Sequence, residues 1–327
     1  MRMSMCALLA AVVLAAISAT GASTVKIEKI PFFNQPNCYK LSNGTVEVIV
    51  TTDIGPRVMA YRFAGGQNML AELTAAASQE TELGVWHPWG GHRLWHAPEN
   101  KPRTYQPDDD PVPFEIKGDT IRLMPKVEAA SQIRKVMQVK LDADGSHVTL
   151  TQTLTNEGRW PIELAVWGLT IVRGGGTTIW PQEPFISHDD ELLPARSMTL
   201  WHYTDMSDPR YRFGKKYVTL HTDTKITDPQ KIGVANKQGW AAYQLGDLLF
   251  VKRFPYVEGA KYPDSGCNFE SYTAGDFMEV EDLGPLTMLD PGESVTNVEH
   301  WYLFKDVKPS KDDAAIDANI LPLVKKT

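Results

Sequence analysis

Residues Val136–Leu154 read VMQVKLDADGSHVTLTQTL. Apolar and polar side chains alternate through Val136–Leu141 and again through Val148–Leu154, the period of a strand with one buried face. Between them, Asp142-Ala143-Asp144-Gly145-Ser146 carries the Asp-Gly chemistry of a tight reversal, so the two runs read as a hairpin. The same period recurs along the chain. Thr45–Thr52 (TVEVIVTT) puts Val46, Val48 and Val50 on one face, and Arg57–Phe63, Thr120–Leu123, Val218–Thr222, Trp240–Gln244, Leu248–Lys252 and Glu299–Phe304 read as further strands. Turn signals such as Asn43-Gly44, Gly65-Gly66, Lys117-Gly118-Asp119 and Asp290-Pro291-Gly292 punctuate them. Many short strands so spaced predict an all-β sandwich. Helix is expected in two places only: two turns over Ala71–Gln79, and Ala314–Leu321 behind a capping box of Ser310 and Asp313, with Pro322 disrupting it.

The 327-residue chain holds 33 Lys and Arg against 40 Asp and Glu, a net charge of −7. No basic run offsets this, which argues against nucleic acid as a partner. Arg2, the apolar run Ala7–Ala19 and the small residues Ala19–Ala22 have the order of a secretory signal peptide. The run is shorter than the roughly 20 apolar residues of a spanning helix, so no membrane anchor is expected. The reading is a signal over residues 1–22, one domain over residues 23–327, and a periplasmic or secreted location. Export leaves Cys38 and Cys267 in the mature chain, as a disulfide or as two unpaired core residues.

Two segments carry the chemistry. Gly84–Glu99 (GVWHPWGGHRLWHAPE) gathers Trp86, Trp89 and Trp95 with His87, His92, His96 and Arg93. Aromatic faces suit the C–H faces of sugar rings, and an arginine suits their hydroxyls. His92 and His96 have a spacing open to a metal, with His87 or Glu99 as a third ligand, but no further His or Cys completes such a set, and neither metal nor cofactor is assigned. Asp276–Pro285 (DFMEVEDLGP) puts Glu279 and Glu281 on one strand face, open to two readings: a general base with a neighbour that raises its pKa, or an exposed acidic strand face. Pro98–Pro113, rich in proline and acid, reads as a long surface loop. The chain has no Gly-x-Ser-x-Gly elbow, phosphate loop or dinucleotide fingerprint, which disfavours serine hydrolases and nucleotide-dependent enzymes.

Taken in order, NGTVEVIVTTDIGPRVMAYRFAGGQNMLAE (Asn43–Glu72), VTLTQTLTNEGRWPIELAVWGLT (Val148–Thr170) and FMEVEDLGPLTMLDPGESVTNVEHWYLF (Phe277–Phe304) are similar to the first hairpin, middle strands and closing strands of the galactose mutarotase-like (aldose 1-epimerase-like) superfamily. The resemblance implies a β-supersandwich with a groove for a mono- or oligosaccharide on one concave sheet. It implies Glu279 as the base of an aldose epimerase and Arg93 as a sugar-binding residue. The family's catalytic histidine aligns with Trp167, so the acid falls to His92 or His96 on the reading of the residues alone. Trp86, Trp89, Trp95 and Glu281 complete the expected groove. Beside the epimerase stand two alternatives: a carbohydrate-binding module without turnover, and an enzyme like the polysaccharide lyases.

Overall fold

The computed structural model describes residues 25–74 and 78–327. The segment read as a signal peptide lies outside the described residues. Strand makes up 47% of the described residues and helix 6%, as the alternation requires of an all-β sandwich.

Two large sheets face each other. In the first, neighbouring strands run in the order Lys26–Phe32, Gln35–Ser42, Val46–Thr51, Arg57–Phe63, Gly91–Ala97, Ile162–Arg173, Phe277–Leu283, Phe269–Ala274, Gln230–Val234 and Met198–Leu200, with Thr287–Leu289 pairing beside Ile162–Arg173. The second runs Tyr211–Phe213, Tyr217–His221, Thr177–Pro181, Trp240–Leu245, Leu248–Arg253, Ser294–Phe304, Val148–Asn156, Ile133–Leu141, Thr120–Leu123 and Phe114–Lys117. The hairpin read from Val136–Leu154 pairs Leu141 with Val148 and extends to Ile133 against Asn156. Buried residues alternate along both its strands.

The inner faces meet in one extended apolar core that includes Val48, Val58, Leu94, Met137, Val139, Leu150, Val166, Phe250, Val280 and Trp301. Removing these side chains from water drives the two sheets together, at about 25 cal/mol per Å² of apolar surface. The central strands are buried on both faces: all seven residues of Gly91–Ala97 are buried, as are six of seven in Phe277–Leu283. One face of each meets the second sheet and the other lies under loops, so these strands carry two separate sets of side chains.

Three local expectations are corrected. Around Ala71–Gln79 the described residues are not helical: Glu72 bridges to Gly90 and Gln79 opens a short strand. At the C-terminus the helix is Asp313–Asn319, and its cap is Asp312, whose side chain accepts from the Ala315 amide. Pro322 does not end the helical region but sits in the first turn of a second short helix, Leu321–Val324, where its missing N–H costs nothing. Cys38 and Cys267 are both buried and unbridged. Cys38 packs with Ile49 and Ala60 in a small cluster, and burial pushes the Cys267 thiol up to about 12. Thiol titration of denatured, unreduced protein spanning residues 23–327 will therefore find both thiols free. Finding none would restore the bridge.

Candidate functional site

The outer face of the first sheet, on the far side from the sandwich interior, holds a cavity of about 520 Å³. Strand alternation decides which residues reach it. In Gly91–Ala97, Arg93 and Trp95 face the cavity. In Ile162–Arg173, Trp167, Leu169 and Ile171 face it, and in Phe277–Leu283, Phe277 and Glu279 do. The register sets Trp167 beside Trp95, and Ile171 beside Glu279, which in turn neighbours Tyr272. Lys231 is the cross-strand partner of Tyr272 and continues the row.

Above these strands the Trp-rich segment folds back as a rim. Trp89, Gly90 and Gly91 all have positive φ, and a Cβ on either glycine would collide with a backbone carbonyl, that of Ala71 or of Val58. The fully buried Arg57 clamps this segment, donating through Nη1 to the Pro88 and Gly90 carbonyls (2.8 and 2.9 Å) and through Nη2 to Asp108 (2.8 Å). The Pro98–Pro113 loop thus holds the rim through Asp108, and it supplies Glu99, Lys101 and Tyr105 to the cavity wall.

The wall is aromatic. Trp86, Trp95, Tyr105 and Trp167 pack with centroids 5.1–5.5 Å apart. The Arg93 guanidinium lies 4.3 Å from the Trp95 ring and 5.5 Å from that of Trp86, cation–π contacts that fix its plane. Its Nη2 donates to Glu279 (3.1 Å). Among the described residues, Arg93 Nε and Nη1 and Trp86 Nε1 have no hydrogen-bond partner, although Arg93 is only 4% exposed. These donors are buried as well as unpaired, and buried polar groups cost free energy until they are paired.

Beneath Trp167 lies a charged knot. Lys231 Nζ stands 2.7 Å from Glu270 and 3.2 Å from Glu281, and within 5.0 and 4.8 Å of the Trp167 and Trp201 rings. Trp167 Nε1 donates to Glu281 (2.9 Å). Burial works against the lysine's charge, but the two carboxylates overcome it and hold its pKa well above the usual value. Burial raises Glu281 to about 7 and carries Glu270 well above its ordinary range. Burial likewise pushes the Tyr272 hydroxyl up to about 12, so at neutral pH it is an un-ionised donor.

The expected residues divide. Arg93, Trp86, Trp95 and Glu279 come together in the cavity, and Glu281 sits buried below it. Trp89 does not line it: its indole turns to Asp109 (3.0 Å), beside His87. His92 and His96 do not reach it either. They occupy the opposite face of their strand, toward the second sheet. His92 bonds Thr170 (3.0 Å) and Gln152 (3.1 Å) and packs on Trp301. His96 stands 3.5 Å from Glu128, which pairs with Lys135. Burial lowers the pKa of both imidazoles. The spacing that puts two histidines on one face put them on the face away from Arg93. No group of three potential ligands among the described residues is arranged for a metal. Lys231, Trp201, Tyr203, Tyr272 and Tyr105 were missed. Tyr272 was legible, because Phe269–Ala274 alternates in phase with Phe277–Leu283; Lys231, in a five-residue strand, carried no signal.

No family model and no curated protein sequence matches the chain. Solved structures do. A protein of Escherichia coli K12 proposed to be an aldose 1-epimerase superposes with a TM-score of 0.55 at 14% identity, over 82% of this chain and 99% of that one. A galactose mutarotase-like protein from Lactobacillus casei gives 0.52 at 11%, over 82% and 100%. A TPR-domain containing protein from Parabacteroides distasonis gives 0.56 at 14%, over 83% of this chain but 47% of its own. The fold is therefore of the galactose mutarotase-like type.

The knot yields a prediction about stability. Glu281's folded pKa lies above its unfolded value, so its contribution is complete below the unfolded value and is lost as pH rises through about 7. Lys231→Met leaves two buried carboxylates without a counter-charge, and should destabilise by roughly 3–5 kcal/mol at about pH 8. The loss should shrink at about pH 5, where the carboxyls bind protons and shed the charge that burial penalises. Denaturant midpoints of the variant and parent at both pH values measure this. An equal loss at both would contradict it.

Proposed function

We propose that the cavity on the first sheet binds carbohydrate. The observation that carries this reading is Arg93 in the cavity wall, over the Trp95 ring, tied to Glu279 on one side, and left with two buried donors unpaired. A sugar ring presents adjacent hydroxyls to a forked donor and a C–H face to an indole, so one pyranose can answer both features. Glu279 accepts from hydroxyls, and the rim tyrosines donate.

The reading favours binding over the epimerase reaction. Ring opening by acid–base catalysis needs an acid at the ring oxygen opposite the base at the anomeric hydroxyl. The resemblance gives Glu279 the base's role, but both candidate imidazoles lie behind the sheet, and the aligned position is Trp167. Its indole N–H is already committed to Glu281 and cannot serve as an acid near neutral pH.

A glycan array, followed by calorimetry on the best ligand, tests the reading. Arg93→Ala should weaken binding by roughly 10- to 100-fold, the worth of charge-assisted hydrogen bonds. Polarimetry on fresh α-glucose and α-galactose should show the uncatalysed rate. Binding unchanged in Arg93→Ala would overturn the proposed site. Acceleration abolished by Glu279→Gln would replace the binding reading with the epimerase.

A further inference from the structure

The cavity has a direction. Its lining comes from five neighbouring strands, from Gly91–Ala97 through Ile162–Arg173, Phe277–Leu283 and Phe269–Ala274 to Gln230–Val234, and then from Trp201, just past Met198–Leu200. The Trp95 and Trp167 rings are 5.5 Å apart, and Lys231 Nζ lies 5.0 Å from the Trp167 ring and 4.8 Å from that of Trp201, so the groove reaches up to about 15 Å from Trp95 to Trp201, running across the strands. That is several times the width of a pyranose ring.

Both ends continue. At the Gly91–Ala97 end, Gln79, Lys101 and Tyr105 are shared with a second cavity of about 400 Å³ that reaches Glu80 and Glu82. At the far end, Trp201 is shared with a third, of about 320 Å³, lined by Thr199, His202 and Asp264. Aromatic side chains stand toward both ends of the line: Tyr105, Trp95 and the adjoining Trp167 at one, Tyr203 and Trp201 at the other.

The formal charge along the groove has no positive surplus. Arg93 is paired with Glu279, and Lys231 with Glu270 and Glu281. With Lys101 and Glu99 also in the wall, three cations stand against four carboxylates, so nothing in the wall is left over for a polyanion.

From this length, these shared walls and this lack of positive surplus, we infer that the ligand is a neutral oligosaccharide lying across the strands, with Arg93 and Glu279 gripping one ring while the aromatic side chains toward each end carry its neighbours. The inference rests on the carbohydrate reading of the same cavity and adds chain length and charge to it.

Calorimetry with neutral gluco-, galacto- and manno-oligosaccharides, from the monosaccharide to the pentasaccharide, tests it, with an oligogalacturonide as the charged comparison. In the series that binds, affinity should rise roughly tenfold or more from the monosaccharide to the tetrasaccharide, about the worth of one or two further aromatic contacts. The oligogalacturonide should bind more weakly than the neutral chain. Glu82→Ala and His202→Ala, at exposed positions in the second and third cavities, should each reduce tetrasaccharide affinity while leaving monosaccharide affinity unchanged. A monosaccharide bound as tightly as the tetrasaccharide overturns the inference and leaves the carbohydrate reading standing. Preference for the oligogalacturonide overturns the neutral assignment. Failure of every neutral and charged sugar to bind overturns both readings together.

Discussion

Lys252 is the charge on which the meeting of the two sheets depends. Its ammonium group is wholly buried between them, 2.6 Å from Asp282 and 3.1 Å from Glu299. It also donates to the Gly168 and Val280 carbonyls and to Thr170 Oγ1, at 3.0–3.2 Å. A buried cation is tolerated only when opposite charge and hydrogen bonds replace its water. Here the replacements come from both sheets. Asn297 donates to Asp282 (2.7 Å) and Trp301 to Glu299 (2.8 Å), which fixes the carboxylates in turn. Gly168 leaves the space, since a Cβ there would collide with Glu299 and crowd Asp282 and Gln152.

This constraint reaches the groove because the same strands serve both faces. Gly168 and Thr170 touch the buried cluster, while Trp167, Leu169 and Ile171 between and around them line the cavity. Asp282 pairs with Lys252 on the inside, and its neighbour Glu281 pairs with Lys231 on the outside. His92 belongs to the inner set: its bonds to Thr170 and Gln152 and its Trp301 contact make it a neutral polar member of the core. A groove whose floor is locked from behind is pre-organised, which lowers the entropy cost of binding.

The fold was largely legible because period-two alternation is a local property. Ile133–Leu141 and Val148–Asn156 bury every second residue, and the hairpin between them turns where Asp-Gly chemistry placed it. The candidate site was legible in part. Arg93, Trp95 and Glu279, named from the sequence and from the resemblance, meet in one cavity. His92 and His96 were placed wrongly because a strand buried on both faces gives alternation without saying which face is which. The Lys231 knot was not legible as a whole: Glu281 was named, but Lys231 comes from a strand about 40 residues earlier, and nothing local marks it or Glu270 as buried. The cysteines could not be read because pairing depends on tertiary position: Cys38 lies in the strand Gln35–Ser42 and Cys267 in the connection just before Phe269–Ala274.

The likeness to mutarotase-type structures fixes the architecture, and the side chains on the outer face of the first sheet determine what that architecture holds. The central claim is that Arg93, Trp95 and Glu279 form the grip on a sugar ring. A crystal structure of the protein soaked with its best array ligand tests this most directly. The account predicts a pyranose stacked at the Trp95 end of the groove, with a hydroxyl accepting from Arg93 Nη1 or Nε and another donating to Glu279. A sugar bound elsewhere, such as on the threonine-rich outer face of Val148–Asn156, with Arg93 Nη1 and Nε left open, would contradict it.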